Sequence, residues 1–191
     1  MGAISTRPIT IAEFDKLDLP PNRKWELRNG EIVEMPFPSW IHKRLQRRIS
    51  QLLEQAFPGA AVLEEMPFQI EATNDERGAD VGITTKEREE ETRRTRILSG
   101  APELVVEVLS PSNNIPDLKK YRRLCFEYGT EVFLTVDSDD NTIELHLRPG
   151  KQSTTLGLGD TLHLSLFGIQ ASIPVSDIFA GITLPENAPQ V

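Results

Sequence analysis

Two acidic residues, Asp80 and Glu107, stand in segments where a carboxylate is costly. Asp80 lies in the segment RGADVGI, and Glu107 follows 27 residues later in the segment ELVVEVLSPS. Both segments contain runs of Val, Ile and Leu that predict buried strands. A buried carboxylate needs a compensating partner, and two of them on neighbouring strands repel each other. A divalent cation held between them would compensate both, which predicts a metal site for hydrolytic chemistry.

Each carboxylate also has a purely structural interpretation. Asp80 could cap a turn at the end of its strand, and Glu107 could form a salt bridge with Arg77 or Lys120. The residues by themselves leave both interpretations open.

The elements before these strands are predicted from local signals. Thr10 and Glu13 form a capping-box pattern for a short helix over residues 11–17. Asn29-Gly30 between two extended runs predicts a β-hairpin over residues 24–35. Ser39 can cap a long helix that ends near Phe57, with apolar residues at helical spacing.

The remaining elements predict a mixed β-sheet flanked by helices. Residues 103–109 form the most hydrophobic strand, which we expect at the centre of the sheet. A strand, a crossover helix and a further strand over residues 103–136 favour an α/β (α+β) fold. The other predicted elements are strands at 61–65 and 68–71 interrupted or bulged at Pro67, a strand at 79–84, an exposed loop or frayed helix at 86–96, a helix at 115–128, strands at 131–136 and 142–147, edge strands at 151–166 and a short helix at 174–179.

Composition narrows the class of protein. The 191 residues suit a single domain, which we place at 1–184 with a loose tail at 185–191. No apolar window is long enough for a membrane span, the first ten residues carry no signal-peptide pattern, and the single Cys125 excludes an intrachain disulfide. We therefore expect a cytoplasmic protein.

Charge argues against a protein that coats nucleic acid, since the formal net charge is −8. Local basic clusters still allow a nuclease, although each could equally be a solvated helix face. The clusters are Lys43, Arg44, Arg47 and Arg48; Arg93, Arg94 and Arg96; and Lys119, Lys120, Arg122 and Arg123.

Five segments together carry a resemblance to a known family. In chain order they are WELRNGEIV at 25–33, Pro38-Ser39 followed by His42, RGADV at 77–81, GAPE at 100–103 and LVVEVLSPS at 104–112. This series resembles the Uma-two family of endonucleases, within the PD-(D/E)XK nuclease superfamily, over roughly residues 10 to 150. RGADV departs from the family's usual Arg-Pro-Asp-Val by one insertion and by Ala in place of Pro.

The resemblance implies a restriction-endonuclease-like fold and Mg²⁺-dependent hydrolysis of DNA phosphodiesters, with Mn²⁺ as a possible substitute. It implies that Asp80, Glu107 and the main-chain carbonyl of Val108 bind the metal. It also implies a homodimer, because a double-strand cut needs two sites. His42 and Glu26 are candidate accessory residues. In the alternative interpretation, His42 is a capping or surface residue, and Glu26 faces solvent and pairs with Lys24 or Arg28. Glu64, which precedes the Asp80 strand, is favoured as an exposed carboxylate.

The catalytic lysine is the main departure from the family pattern. In the superfamily it usually lies two residues after the glutamate, where this chain has Leu109. The family instead places it on the following helix, eight residues before a glycine; counting back from Gly129, this chain has Tyr121. A shift in the helix start would let Lys120 act as the catalytic lysine, with Lys119 as an accessory candidate.

Three functions follow from these observations. The leading hypothesis is a Mg²⁺-dependent DNA endonuclease. The alternative is a catalytically inactive protein of the nuclease fold that serves as a binding or assembly module. A third, weaker hypothesis is a metal enzyme acting on another phosphate ester, such as RNA.

Overall fold

A mixed β-sheet holds the two acidic strands side by side at its centre. The computed structural model describes residues 7–110, 114–149 and 152–182. The described strands are β1 (Lys24–Arg28), β2 (Glu31–Met35), β3 (Ala61–Ile70), β4 (Asp75–Thr84), β5 (Leu98–Ser99), β6 (Leu104–Val108), β7 (Val132–Asp137), β8 (Thr142–Leu147), β9 (Ser153–Leu156), β10 (Thr161–Leu166) and β11 (Ile169–Pro174). The described helices are α1 (Ile11–Phe14), α2 (Trp40–Ala56), α3 (Lys86–Thr95), α4 (Ile115–Glu127) and α5 (Val175–Phe179).

The sheet follows the order β2-β1-β4-β6-β7-β8-β9, with β3 paired to β4 and β5 paired to β3. Strand β4 is antiparallel to β6, whereas β6 and β7 are parallel and are connected through α4. The central position of β6 and the crossover helix are therefore as predicted. Parallel neighbours require such a crossover connection.

Each helix start follows from its capping residue. The Thr10–Glu13 capping box is present at α1, and Ser39 Oγ accepts a hydrogen bond from the His42 amide at the start of α2. Asn29 and Gly30 both adopt positive φ in the predicted hairpin turn. The segment predicted as a loop or frayed helix is helix α3, whose N-cap Thr85 accepts from the Arg88 amide.

Two hydrophobic cores cover opposite faces of β6. Helix α2 packs on the face formed by Leu104, Val106 and Val108. Helix α4 packs on the face that includes Val105, in an aromatic cluster with Phe133. Alternation along the strand places Glu107 on the α4 side, together with Val105.

The C-terminal part differs from the prediction. Among the described strands that follow β8, only β9 extends the central sheet, as the neighbour of β8. Strand β10 pairs instead with β11, a strand absent from the prediction, and this hairpin packs with α5 against α2. The reason is that Leu162, Leu164 and Leu166 alternate along β10 and bury their side chains in the α2 core. The predicted tail at 185–191 lies outside the described residues.

No helix within the described ranges is long and apolar enough to cross a membrane.

Candidate active site

The central strands bring Asp80 and Glu107 into direct contact. Val81 pairs with Val106, which sets Asp80 and Glu107 opposite each other on β4 and β6. The Asp80 amide donates to Glu107 Oε1 at 3.4 Å, and the Val108 amide donates to Asp80 Oδ2 at 2.7 Å. The three residues that the sequence singled out as metal ligands therefore share one hydrogen-bonded site.

The regular pattern of β4 breaks at Asp80. Ala79 packs in the α4 core, whereas Val81 packs in the α2 core, although residues two apart share a face in a regular strand. On the neighbouring strand β3, Glu65 has a φ of 53°, a conformation rare for non-glycine residues. Such irregularities redirect side chains and cluster at functional sites. Here the irregularity lets Asp80 contact helix α2.

Helix α2 fixes the Asp80 carboxylate from one side. His42 Nε2 lies 3.0 Å from Asp80 Oδ1, and Gln46 Nε2 donates to the same oxygen at 2.9 Å. The two residues are one helical turn apart, so they point in the same direction. Gln46 is completely buried, and no described residue donates to its Oε1.

A second carboxylate, Glu65, lies next to this cluster. Its Oε1 accepts from Lys43 at 2.6 Å and from Gln46 at 2.9 Å, and its Oε2 accepts from Lys24. Burial raises the pKa of Glu65, but these donors outweigh that effect and lower its pKa to about 2. The adjacent Glu64 pairs with a different residue, since its Oε1 lies 3.9 Å from Arg47 Nη1.

Glu26 on β1 is buried at the other end of the site, with 4% of its surface exposed. Its Oε1 accepts from the Gly78 amide at 3.2 Å, and its Oε2 accepts from two nitrogens of Arg28 at 2.8 and 2.9 Å. The predicted pairing with Arg28 is present, but the side chain does not face solvent.

The pKa of Glu107 is shifted by burial and by the neighbouring carboxylates. Burial raises its pKa well above the usual range, and the nearby Asp80 and Glu26 carboxylates raise it further. The charged form of Glu107 is therefore destabilised, and a cation between Asp80 and Glu107 would offset both the burial and the repulsion.

The lysines of α4 do not reach this site. Lys120 Nζ pairs with Asp117 at 3.2 Å and its side chain is 77% exposed, while Lys119 is also exposed. Tyr121 faces inward instead, with its ring 6.2 Å from that of Phe68. One residue along a helix is a rotation of about 100°, so a buried Tyr121 turns Lys120 toward water. The assignment of Lys120 as the catalytic lysine is therefore not supported.

Three polar residues of the site were missed from the sequence. Gln46 lies four residues after His42 on α2, a spacing that could have indicated it. Lys24 lies two residues before Glu26 on the same strand face. Glu65 gave no signal, because its direction depends on the irregular backbone opposite Asp80.

The chemistry of these donors suits a magnesium ion. Asp80, Glu107 and the carbonyl of Val108 offer only oxygen atoms, and Mg²⁺ commonly binds one or two carboxylates and keeps several waters. Within residues 7–110, 114–149 and 152–182, no group of three or more His, Cys, Asp or Glu side chains forms a metal cage. A bound ion would therefore depend on these two carboxylates.

Comparison with known proteins agrees with this fold. A solved structure described as a putative nuclease belonging to DUF820, from Anabaena variabilis ATCC 29413, superposes with a TM-score of 0.78 at 20% identity, covering 92% of this chain and 100% of that one. The DrdV–DNA complex matches with a TM-score of 0.35 at 14% identity, over 60% of this chain and 12% of that chain. No curated protein matches the sequence.

The family comparison covers most of the chain. The model of the Uma2 family, described as "Putative restriction endonuclease", matches residues 11–176. The match spans the hairpin, both acidic strands and helix α4. The chain therefore belongs to the Uma2 family of putative restriction endonucleases.

Proposed function

We propose that this protein is a Mg²⁺-dependent endonuclease that hydrolyses DNA phosphodiesters, with Mn²⁺ able to replace Mg²⁺. The observation that carries the proposal is the contact between Asp80 and Glu107 on adjacent strands, where burial and mutual repulsion raise the pKa of Glu107. This is the arrangement that a divalent cation relieves.

Asp80, Glu107 and the Val108 carbonyl would hold the ion. When bound, it would polarise the scissile phosphate and acidify the attacking water. His42 and Gln46 orient the Asp80 carboxylate through their hydrogen bonds, and such supporting contacts set the geometry of a ligand. Glu26 accepts from the Gly78 amide and so braces the β4 backbone just before Asp80.

The side of α2 that faces away from His42 and Gln46 is basic and solvent-exposed, and it supports DNA as the substrate. Trp40, Arg44 and Arg47 recur at helical spacing, and Arg44 lies 5.1 Å from the centroid of the exposed Trp40 ring. Lys43 adds a further charge beside Glu65. Because the chain as a whole has a net charge of −8, phosphate binding would depend on this local surface.

One observation favours the alternative of an inactive nuclease-fold protein. Tyr121 occupies the helix position where the resemblance implies a lysine, and Lys120 points away from the carboxylates. A binding module of this kind would keep the fold and could keep affinity for DNA, but it would not cleave.

The test is nicking of supercoiled plasmid by the purified protein in Mg²⁺ or Mn²⁺, alongside Asp80→Asn and Glu107→Gln. Glu64→Gln is the matched control, because it removes a neighbouring carboxylate that pairs with Arg47 outside the site. We expect cleavage by the wild type and the control, and none by the other two variants. DNA binding without cleavage in the wild type would favour the inactive module.

We also propose a homodimer, since a double-strand cut needs two sites. The outer strands β2 and β9 offer unpaired edges through which two copies could associate. Sedimentation at micromolar concentration with and without DNA tests this, and a monomer under both conditions contradicts it.

A further inference from the structure

The proposed hydrolysis needs a positively charged side chain near the scissile phosphate, and helix α4 does not supply one. Among the described basic residues near the carboxylates, Arg28 is bound to Glu26 through two nitrogens. Arg77 is bound to Asp75 through Nε at 2.7 Å and a terminal nitrogen at 2.5 Å. Both guanidinium groups therefore have fixed structural partners, which leaves the ammonium groups of the site.

Lys24 reaches the site from the hairpin. Its Nζ bonds to Glu65 Oε2, and an ideal Cβ built on Gly78 would lie 3.4 Å from that nitrogen. Gly78 precedes Asp80 by two residues on β4, and the lysine nitrogen lies in van der Waals range of this position. The Lys24 ammonium thus lies beside the β4 backbone that presents Asp80.

Electrostatics agrees with this placement. Burial lowers the pKa of Lys24, but the Glu65, Glu26 and Asp80 carboxylates outweigh burial and raise it. Lys24 also acts on Glu107, whose pKa it lowers against the larger effects of burial and of Asp80 and Glu26. The Lys24 ammonium therefore contacts Glu65, interacts electrostatically with Glu26, Asp80 and Glu107, and stays protonated at neutral pH.

Lys24 can leave Glu65 without leaving a carboxylate unpaired. Glu65 Oε1 retains Lys43 and Gln46 as donors after Lys24 Nζ moves away from Oε2. The side chain of Lys24 is 41% exposed, so a substrate can reach its nitrogen. A phosphate oxygen would replace Glu65 Oε2 as the acceptor.

We propose that Lys24 is the catalytic lysine of this protein, in place of a lysine on α4, and that its ammonium contacts the scissile phosphate. This inference rests on the proposed nuclease function. In the reaction, water attacks phosphorus and one phosphodiester P–O bond breaks; solvent takes the water proton and supplies one to the leaving oxygen. Lys24 stays protonated and stabilises the negative charge that develops on phosphate.

The test compares Lys24→Met, Lys24→Arg and Lys120→Met under single-turnover conditions with Mg²⁺. We expect Lys24→Met to slow cleavage by about 100-fold, as for loss of one charge-stabilising donor. Lys24→Arg should recover part of the rate because it keeps the charge, and Lys120→Met should stay within about twofold of wild type because its lysine faces solvent.

A readout independent of cleavage is Mn²⁺ affinity, measured by calorimetry without DNA. Lys24→Met should bind Mn²⁺ at least as tightly as wild type, because it removes a positive charge near the metal-binding carboxylates. Lys24→Met that cleaves at the wild-type rate, or that loses Mn²⁺ binding together with activity, would overturn the inference and leave the nuclease proposal standing. A wild type that binds Mn²⁺ and DNA but does not cleave would overturn both.

Discussion

The Asp80–Glu107 pair has two flanks of opposite character. On one flank, β1 and α2 present polar groups, including Lys24, His42 and Gln46, that form a continuous hydrogen-bonded network around Glu65 and Asp80. On the other flank, α4 presents aromatic packing centred on Tyr121, whose ring lies near Phe68 and Phe133.

The two flanks therefore surround the same pair of carboxylates with different kinds of contact. Helices α2 and α4 pack on opposite faces of the central strands, so the residues that each brings to the site differ in character. A lysine at position 121 would place a charge in the aromatic cluster of α4, where the Arg77 guanidinium already lies 5.0 Å from the Tyr121 ring centroid and would repel it, although Glu107 is near enough to attract it. The β1–α2 flank contains the carboxylate that pairs with the Lys24 ammonium.

The largest expected effect comes from removing the Glu107 carboxylate, which lies between the two flanks. Glu107→Gln should reduce cleavage by about 1,000-fold or more, since it removes a metal ligand. It should also raise the melting temperature at neutral pH, because burial and Asp80 disfavour the charged form of Glu107. Plasmid nicking and thermal unfolding by circular dichroism measure the two effects. A variant that melts lower and still cleaves would contradict the account.

Tyr121→Lys tests the aromatic flank by placing the family's usual residue there. We expect a loss of about 2–4 kcal/mol in the free energy of unfolding, because the substitution removes a buried ring and inserts a charge. Chemical denaturation measures this loss, with Tyr121→Phe as the control that keeps the ring. Unchanged stability together with faster cleavage would show that α4 can still supply the lysine.

Glu65→Gln tests the polar flank through pH. The folded-state pKa of Glu65, about 2, lies below its usual value of 4.5, so its contribution to stability is complete above pH 4.5 and disappears as pH falls toward 2. Because Glu65 is partly exposed, we expect the variant to lose only about 1–2 kcal/mol at pH 6.

The difference between Glu65→Gln and wild type should shrink in denaturant titrations between pH 5 and pH 3, which approach the folded-state pKa of about 2. Glu64→Gln, which changes the adjacent carboxylate, is titrated alongside as the control. A constant difference across this range would mean that the Lys24, Lys43 and Gln46 contacts do not govern Glu65.

The smallest effect is expected at Lys120. Its ion pair with Asp117 is solvent-exposed, so Lys120→Ala should change the free energy of unfolding by less than about 0.5 kcal/mol. Denaturation and plasmid nicking should both match wild type within error. A large loss of cleavage would restore Lys120 to the site and remove the contrast between the flanks.

Much of the scaffold follows from local sequence signals. The Thr10 cap, the Asn29-Gly30 turn and the apolar β6 run each have a short-range cause, and the structure has each element at the predicted place, although α1 ends at Phe14 and not at residue 17. Pro67 was misleading, because it pairs with Gly78 inside a continuous β3. The break in the regular pattern lies instead beside Asp80, at Glu65.

The site was only partly predictable for the same reason. Asp80 and Glu107 stand out because charge is rare in apolar strands. Gln46 and Lys24 join them through tertiary contacts, which only their spacing from His42 and Glu26 could have indicated. Glu65 joins through an unusual backbone angle, which no local pattern encodes. Lys120 was misplaced because the buried face of α4 is fixed by Tyr121 and its aromatic neighbours.

The most direct test of the account is calorimetric titration of the full chain with Mn²⁺ and Mg²⁺, on wild type, Asp80→Asn, Glu107→Gln and the Glu64→Gln control. We expect one metal-binding site per chain in wild type and in the Glu64→Gln control, and no metal binding in Asp80→Asn or Glu107→Gln. No binding by the folded wild type, with or without DNA, would contradict a metal site at the Asp80–Glu107 pair.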